Sequence, residues 1–299
     1  MFCISDDFDI YGLIYDLESY LRFIVRWELR GTNYKDWKGL LDKEVLTNAN
    51  SRLKQEQEIG YLDIRFSGIL SYLHLSELKD LILGPLWKGK IKENWGSKEL
   101  VAADFKKLIA IRNKIAHFRP VTRRDTRIAK QFSLDLADWT KIYKKIRRYA
   151  ICGSIEESNI KLVFKGKDKV IEYWLKPGNI ERGNKYNIHI AKIDTHYSII
   201  IENQNGTIEP ESFIEFVTRH DKEITFCRVN KLGNKVDIYF PKELDENEII
   251  KLYDGLFVCI SNTVEPLSSM DVVEMFFLRM HEGMIPWEIE VPSEFVPRI

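Results

Sequence analysis

The chain has few cysteines, and their arrangement excludes the usual disulfide and zinc frameworks. Its 299 residues include four cysteines, none in a C-x-x-C pair and none near a histidine at zinc-ligand spacing. Scattered cysteines in a chain of this size are typical of reduced proteins, so we expect a cytoplasmic location and no metal site. The four are Cys3, Cys152, Cys227 and Cys259.

Long apolar runs and nucleotide-binding loops are also missing. No apolar stretch reaches the ~18 residues that cross a bilayer, and the N-terminus lacks a basic segment followed by an apolar one. The sequence therefore predicts no membrane partner and no secretory signal. No glycine-rich phosphate loop of the Walker or dinucleotide type occurs in either half of the chain, and we expect no cofactor.

The chain has no overall excess of either charge, because 45 basic residues balance 45 acidic ones. This balance argues against broad duplex binding driven by phosphate charge alone. It hides a local excess, since residues 111–131 carry seven basic side chains and one acidic one, a net charge of +6. Such a segment is either a solvated basic face or part of a nucleic-acid site.

The stretch that holds this excess, KKLIAIRNKIAHFRPVTRRDTR, predicts the end of an amphipathic helix. Ser97 is a suitable N-cap, and Pro120 disfavours helical geometry at the residue before it, so the helix should end near His117 or Phe118. A histidine can transfer protons near neutral pH, and a guanidinium can hold a phosphate, so Arg112 and His117 together suit a phosphodiester substrate. The alternative is structural, because cations often complete helix C-termini as caps or ion pairs.

The segment RNKIAH resembles the R-N-x-x-x-H form of the R-x(4–6)-H motif of the HEPN superfamily. The segments before it strengthen the resemblance, because LESYLRFIVRWEL, YLHLSELKDLIL and the tryptophan-containing LWKGKIKENWG are similar to HEPN domains of the abortive-infection type. The resemblance covers roughly residues 8–150. It implies an all-α helical bundle, and many members of the superfamily are RNases that need no metal.

The resemblance also implies a reaction and roles for individual residues. In HEPN RNases a 2′-hydroxyl attacks the adjacent phosphate and leaves a 2′,3′-cyclic phosphate and a 5′-hydroxyl. His117 would then be the general acid/base, Arg112 would hold the scissile phosphate, and Asn113 would orient the histidine or a phosphate oxygen. The basic residues expected to position the RNA backbone are Lys114, Arg119, Arg123, Arg124 and Arg127.

By the same resemblance, we expect a regulated endoribonuclease that acts as a toxin or an anti-phage defence effector. Many members build one site from two copies of the motif, so a homodimer with a composite active site is implied, together with an antitoxin or another regulatory protein as partner. The alternative is a non-catalytic HEPN module that binds RNA or protein and works with a partner. A third hypothesis is that the chain is a target of nucleotidyl transfer or the partner of a toxin.

The composition changes near residue 150 and predicts an α+β protein of two domains. A helical domain over 1–152 should precede a separate β-rich domain over 153–299 that contains at least one helix, SSMDVVEMFFLRM. We expect this second domain to bind RNA, to sense a trigger or to restrain the nuclease. The predicted strands are NIKLVF, KVIEYWL, YNIHIAKI, THYSIII, ITFCRV, KVDIYF and LYDGLFVCI.

The first domain should contain several further helices. Apolar spacing and turn residues predict helices over 8–30, 34–46 and 133–149, a helix broken once within 61–83, and a loop or exposed helix over 47–60. Trp87 and Trp95 are expected to pack the bundle rather than to stack on bases.

Three sets of polar residues allow a structural and a functional interpretation. Glu18 and Arg22 are four residues apart, which favours a surface ion pair, although a place beside the motif is the alternative. His74 lies at a helix junction, where a packed or capping histidine is the expected role. His189 and His196 flank a pair of predicted strands, but they lack the accompanying acids or cysteines that a metal site would require.

Overall fold

The structure is a computed structural model that describes residues 4–60, 68–141, 155–230, 232–265 and 284–285. Helices make up the described part of the N-terminal half, and helices with antiparallel strands make up the rest, so the predicted α+β class is confirmed. The helix predicted over 268–280 and the end of the one predicted over 133–149 lie outside the described residues.

The described N-terminal half folds into helices connected by short turns. The structure has 3₁₀ turns at Trp37–Leu40 and Ile69–Tyr72. The helices are α1 (Ile4–Thr32), α2 (Lys43–Ile59), α3 (Leu75–Leu83), α4 (Gly89–Asn94), α5 (Lys98–Ala116) and α6 (Arg123–Trp139).

Side-chain caps explain where α2, α5 and α6 begin. The Asp42 carboxylate accepts the Glu44 N–H at 2.8 Å, so α2 begins earlier than the predicted segment over 47–60 and absorbs it. The Ser97 hydroxyl accepts the Leu100 N–H at 3.2 Å, and this N-cap was predicted. A capping box starts α6 ten residues before the expected position. The Thr122 hydroxyl accepts the main-chain N–H of Asp125, and the Asp125 carboxylate accepts the main-chain N–H of Thr122.

The described C-terminal half alternates helices and strands. The helices are α7 (Glu157–Val163), α8 (Asp168–Trp174), α9 (Pro177–Lys185), α10 (Pro210–Arg219) and α11 (Glu246–Ser261). The strands are β1 (Tyr186–Ile193), β2 (His196–Asn203), β3 (Thr207–Ile208), β4 (Phe226–Val229), β5 (Lys235–Pro241), β6 (Thr263–Val264) and β7 (Met284–Ile285).

Four of the seven predicted strands are confirmed, and three are wrong. The runs YNIHIAKI, THYSIII, ITFCRV and KVDIYF form β1, β2, β4 and β5, and the last two form the predicted hairpin. NIKLVF, KVIEYWL and LYDGLFVCI are helical instead. The last run belongs to α11, which a capping box of Asp245 and Glu248 initiates. Short apolar runs fit either period, so their local pattern does not decide the structure.

The main sheet has the strand order β1-β2-β5-β4-β7, and β3 pairs with β6 in a second, two-stranded sheet. The β1–β2, β2–β5 and β5–β4 pairs are antiparallel, whereas β7 runs parallel to β4. Because side chains alternate between the two faces of a sheet, successive residues of one strand pack into two different cores.

One face of the sheet packs against the N-terminal helices, and the other packs against the C-terminal ones. Ile193, Phe226 and Tyr239 join the same apolar core as α1, α3 and α5. Cys227 and Ile238 point to the opposite face and pack with residues of α7, α8, α10 and α11. The sheet is therefore the middle layer between two groups of helices.

The second half of α1 forms the contact with the sheet. The ring centres of Trp27 and the fully buried His196 lie 3.9 Å apart. Burial lowers the pKa of His196 well below its usual value. The buried Arg30 donates to the carbonyls of Lys222 at 2.9 Å and Ile224 at 2.8 Å. Buried arginines that cap main-chain carbonyls make this contact specific, because an unsatisfied guanidinium would be costly there.

Two glycines of α1 provide a test of this contact. A Cβ at Gly31 would lie 2.3 Å from Thr195 Oγ1 and 3.1 Å from His196 Cε1, whereas a Cβ at Gly12 would have no atom within 4 Å. We expect Gly31→Ala to lower the free energy of unfolding by about 1–3 kcal/mol through overpacking. Gly12→Ala should raise it by about 0.5–1 kcal/mol, since alanine favours a helix. Urea unfolding of both variants measures the difference, and equal effects would contradict the contact.

Candidate functional site

The end of α5 carries the motif residues and closes as predicted. The Phe118 N–H donates to the Ile115 carbonyl at 3.0 Å, and the Arg119 N–H donates to the Lys114 carbonyl at 2.8 Å. These two bonds are those of a Schellman motif, with His117 as the C-cap. The helix therefore ends at Ala116 and leaves the His117 side chain exposed.

Arg112, one and a half turns before this end, is held by Glu18 of α1. Its Nε donates to Glu18 Oε1 at 3.2 Å, and Arg22 Nη2 donates to Glu18 Oε2 at 2.9 Å. Glu18 is only 9% exposed, so it is a buried bridge between two guanidiniums as well as the expected partner of Arg22. Only the Nε of Arg112 is engaged by a described residue, which leaves the outer edge of its guanidinium for a ligand.

The three residues predicted to be catalytic lie on the last turns of one helix. Arg112 is partly buried, whereas Asn113 and His117 are exposed. Within the described residues, no hydrogen bond or ion pair joins Arg112 to His117. The Asn113 carbonyl accepts the His117 N–H at 3.2 Å as part of the helix end. The fold thus places the Arg112 guanidinium and the His117 imidazole near one helix end, but no direct bond between them holds the imidazole in place.

Lys114, predicted to contact RNA, is paired within the protein. Its ammonium donates to both carboxylate oxygens of Asp125 at 2.9 Å, and Asp125 also accepts from the main chain and the hydroxyl of Thr122 at 2.8 Å. Burial raises the pKa of Asp125, but the bonds from Lys114 and Thr122 outweigh it and hold that pKa below its usual value. This pair ties α5 to the first turn of α6.

The remaining predicted RNA contacts form an exposed basic surface after α5. None of their guanidiniums forms an ion pair with another residue in the described ranges. Three belong to the first two turns of α6, where positive charge is unfavourable to the helix dipole, so helix stability does not explain them. We call this set the arginine surface; its members are Arg119, Arg123, Arg124 and Arg127.

His74 joins the same neighbourhood from α3. It is the N-cap residue of that helix, and its main-chain N–H donates to the Glu77 carboxylate at 2.6 Å. Partial burial and the charge of Arg52 lower the pKa of His74, and Arg112 acts in the same direction. The carbonyl of Leu73 next to it accepts from Arg22 at 3.2 Å. No local sequence signal places His74 beside the motif, because its neighbours there lie on other helices.

A concavity lies where α1 meets the C-terminal half. Its volume is about 510 Å³, and its lining carries both signs of charge, including Arg30, Lys35, Asp36, Asp221 and Glu248. Because both signs of charge are present, the lining favours neither an anionic nor a cationic ligand. In the part of the chain that the structure describes, there is no cluster of three metal-ligating side chains and no helix able to cross a bilayer.

Comparison of the chain with models of protein families, with curated proteins and with solved structures finds no match.

Proposed function

We propose that the protein is a metal-independent endoribonuclease whose site lies at the end of α5. The observation that carries the proposal is the combination found there: an exposed imidazole, a guanidinium held by a buried carboxylate, and an arginine surface without acidic partners among the described residues. A phosphodiester needs such groups, because its negative charge must be held while one proton is taken and another is given.

His117 and Arg112 have distinct roles in this reaction. The neutral imidazole takes the proton of the 2′-hydroxyl, whose oxygen attacks phosphorus, and the imidazolium gives a proton to the departing 5′-oxygen. The products are a 2′,3′-cyclic phosphate and a 5′-hydroxyl. The guanidinium of Arg112 stabilises the charge on the phosphate oxygens, and Glu18 fixes its position. Asn113, exposed beside them, supplies an amide to the histidine or to a phosphate oxygen.

RNA positioning falls mainly to the arginine surface. Contacts from arginine to phosphate fix the register of the backbone without reading sequence. Lys114 contributes less than the sequence predicts, because Asp125 already compensates its charge. A homodimer that joins two copies of the motif would complete the site from both chains.

Restraint of the activity is expected, since an unregulated RNase would be toxic in the cytoplasm. The C-terminal half is suited to this role because α1 holds Arg112 through Glu18 and packs on the sheet through Trp27 and Arg30. An antitoxin or another regulatory protein would bias the same helix. These features fit a toxin or an anti-phage effector.

One observation favours a second function, a non-catalytic module that binds RNA. In the described ranges, no side chain orients the His117 imidazole, although a general base is usually held by a hydrogen bond to a third group. A binding module needs only the arginine surface and tolerates a free histidine. The two functions differ in whether RNA is cut or merely retained.

Incubation of the purified protein with total cellular RNA in EDTA separates these functions, with the product ends mapped. We expect cleavage in EDTA that leaves 2′,3′-cyclic phosphates and is lost in Arg112→Ala. Arg219→Ala is the matched control, because Arg219 pairs with Glu215 on the exposed face of α10 and should change nothing. Cleavage that requires Mg²⁺, or that survives in folded Arg112→Ala, would refute the proposal.

A further inference from the structure

Phe118 adopts a backbone conformation and an exposure that folding does not account for. Its φ is 52°, in the left-handed region, and its side chain is 91% exposed. It occupies the position after the C-cap of α5, where glycine is common because a Cβ is disfavoured there. A bulky aromatic residue at this position is therefore strained and also exposes apolar surface to water.

No packing compensates for this strain. The usual apolar contact of a Schellman motif joins the residue after the left-handed one to a residue of the last helical turn, but here those residues are Arg119 and Lys114. Lys114 is directed to Asp125, and Arg119 is exposed. A local rule broken without a structural gain is characteristic of a functional position.

Two further exposed aromatic residues lie next to this helix end. The Tyr11 hydroxyl donates to the Ile115 carbonyl at 3.4 Å, three residues before Phe118. Tyr15 follows one turn later on the same side of α1. Their exposed fractions are 42% and 59%. An exposed ring of α1 thus contacts the same helix end that carries Phe118, and a second lies one turn further along α1.

Exposed rings among arginines match the way in which proteins bind single-stranded nucleic acids. The cations follow the phosphates, and the rings stack on bases, which a duplex does not offer because its bases are already stacked.

We propose that Phe118 stacks on a base of single-stranded RNA beside the phosphate that His117 and Arg112 engage. The inference rests on the proposed function and adds the substrate class to it. RNA is selected in loops, ends or unpaired segments, with little preference for sequence. Strain at Phe118 is retained because a ring at this position projects into solvent next to the motif.

The test is RNA binding by the full-length protein, measured by fluorescence anisotropy with a single-stranded RNA whose 2′-hydroxyls are methylated. This probe cannot be cleaved by 2′-hydroxyl attack. We expect Phe118→Gly to weaken binding about 5- to 100-fold, the effect of losing one stacked base. The same variant should melt about 2 °C higher, because glycine removes the strain. Phe118→Trp should keep the affinity, because a tryptophan ring stacks on a base as well as a phenylalanine ring does.

Leu100→Ala is the matched control, since Leu100 is an exposed apolar residue in the first turn of the same helix. It should leave binding unchanged. Equal affinity of wild type and Phe118→Gly, or no binding by wild type, would overturn the inference. So would loss of a dimer at unchanged RNA affinity, which would assign Phe118 to a contact between copies. RNA binding through Phe118 without cleavage of unmodified RNA in EDTA would remove the proposed function alone.

Discussion

Replacement of His117 by alanine is expected to reduce RNA cleavage by about 10²–10⁴-fold, the usual contribution of a positioned general acid/base. The reason is chemical rather than structural, because the side chain is exposed and the helix end is held by main-chain bonds of Phe118 and Arg119. Single-turnover cleavage of a defined single-stranded RNA measures the effect. The melting temperature of the variant should equal that of wild type.

His117→Asn sharpens this prediction. Asparagine keeps a hydrogen-bonding group at the position but cannot transfer a proton, so it should be as inactive as alanine. Activity that survives in the asparagine variant would mean that His117 only binds the phosphate. The general acid/base would then have to be sought elsewhere, and His74 is a titratable side chain in the same neighbourhood.

Replacement of Asp237 by alanine is expected to lower the free energy of unfolding by about 3–5 kcal/mol. Arg228 and Asp237 face each other across β4 and β5, and Arg228 Nε donates to Asp237 Oδ2 at 2.8 Å. Both residues are buried, on the face of the sheet that meets the N-terminal helices. Removal of the carboxylate takes away the anion that this buried guanidinium pairs with across the strands, and the neutral Tyr239 hydroxyl does not replace that anion.

Urea unfolding of Asp237→Ala tests this prediction against an exposed pair in the same half of the chain. Arg219 and Glu215 lie four residues apart on α10 and are both well exposed, so Glu215→Ala should change stability by less than about 1 kcal/mol. Replacement of both Arg228 and Asp237 by apolar residues should recover much of the loss, because no charge then remains buried. A small effect of Asp237→Ala would mean that water reaches this layer.

The sequence by itself determined the features that depend on neighbours a few residues apart. Ser97 and Pro120 set the limits of α5, and the β4–β5 hairpin follows from two alternating runs around a turn. The α+β class follows in the same way, from a change of period between the two halves of the chain. Caps, turns and periodicity act over one or two turns of chain, so they can be read without the fold.

The tertiary structure alone decided which distant residues meet. Glu18 and Arg112 are 94 residues apart and still share a hydrogen bond, so a pair predicted for the surface became a buried bridge to the motif. The three runs predicted as strands are helices because short apolar segments fit both periods, and burial on the sheet selects between them. The exposure of Phe118 was equally hidden, since periodicity marks what can be buried and only packing decides what is covered.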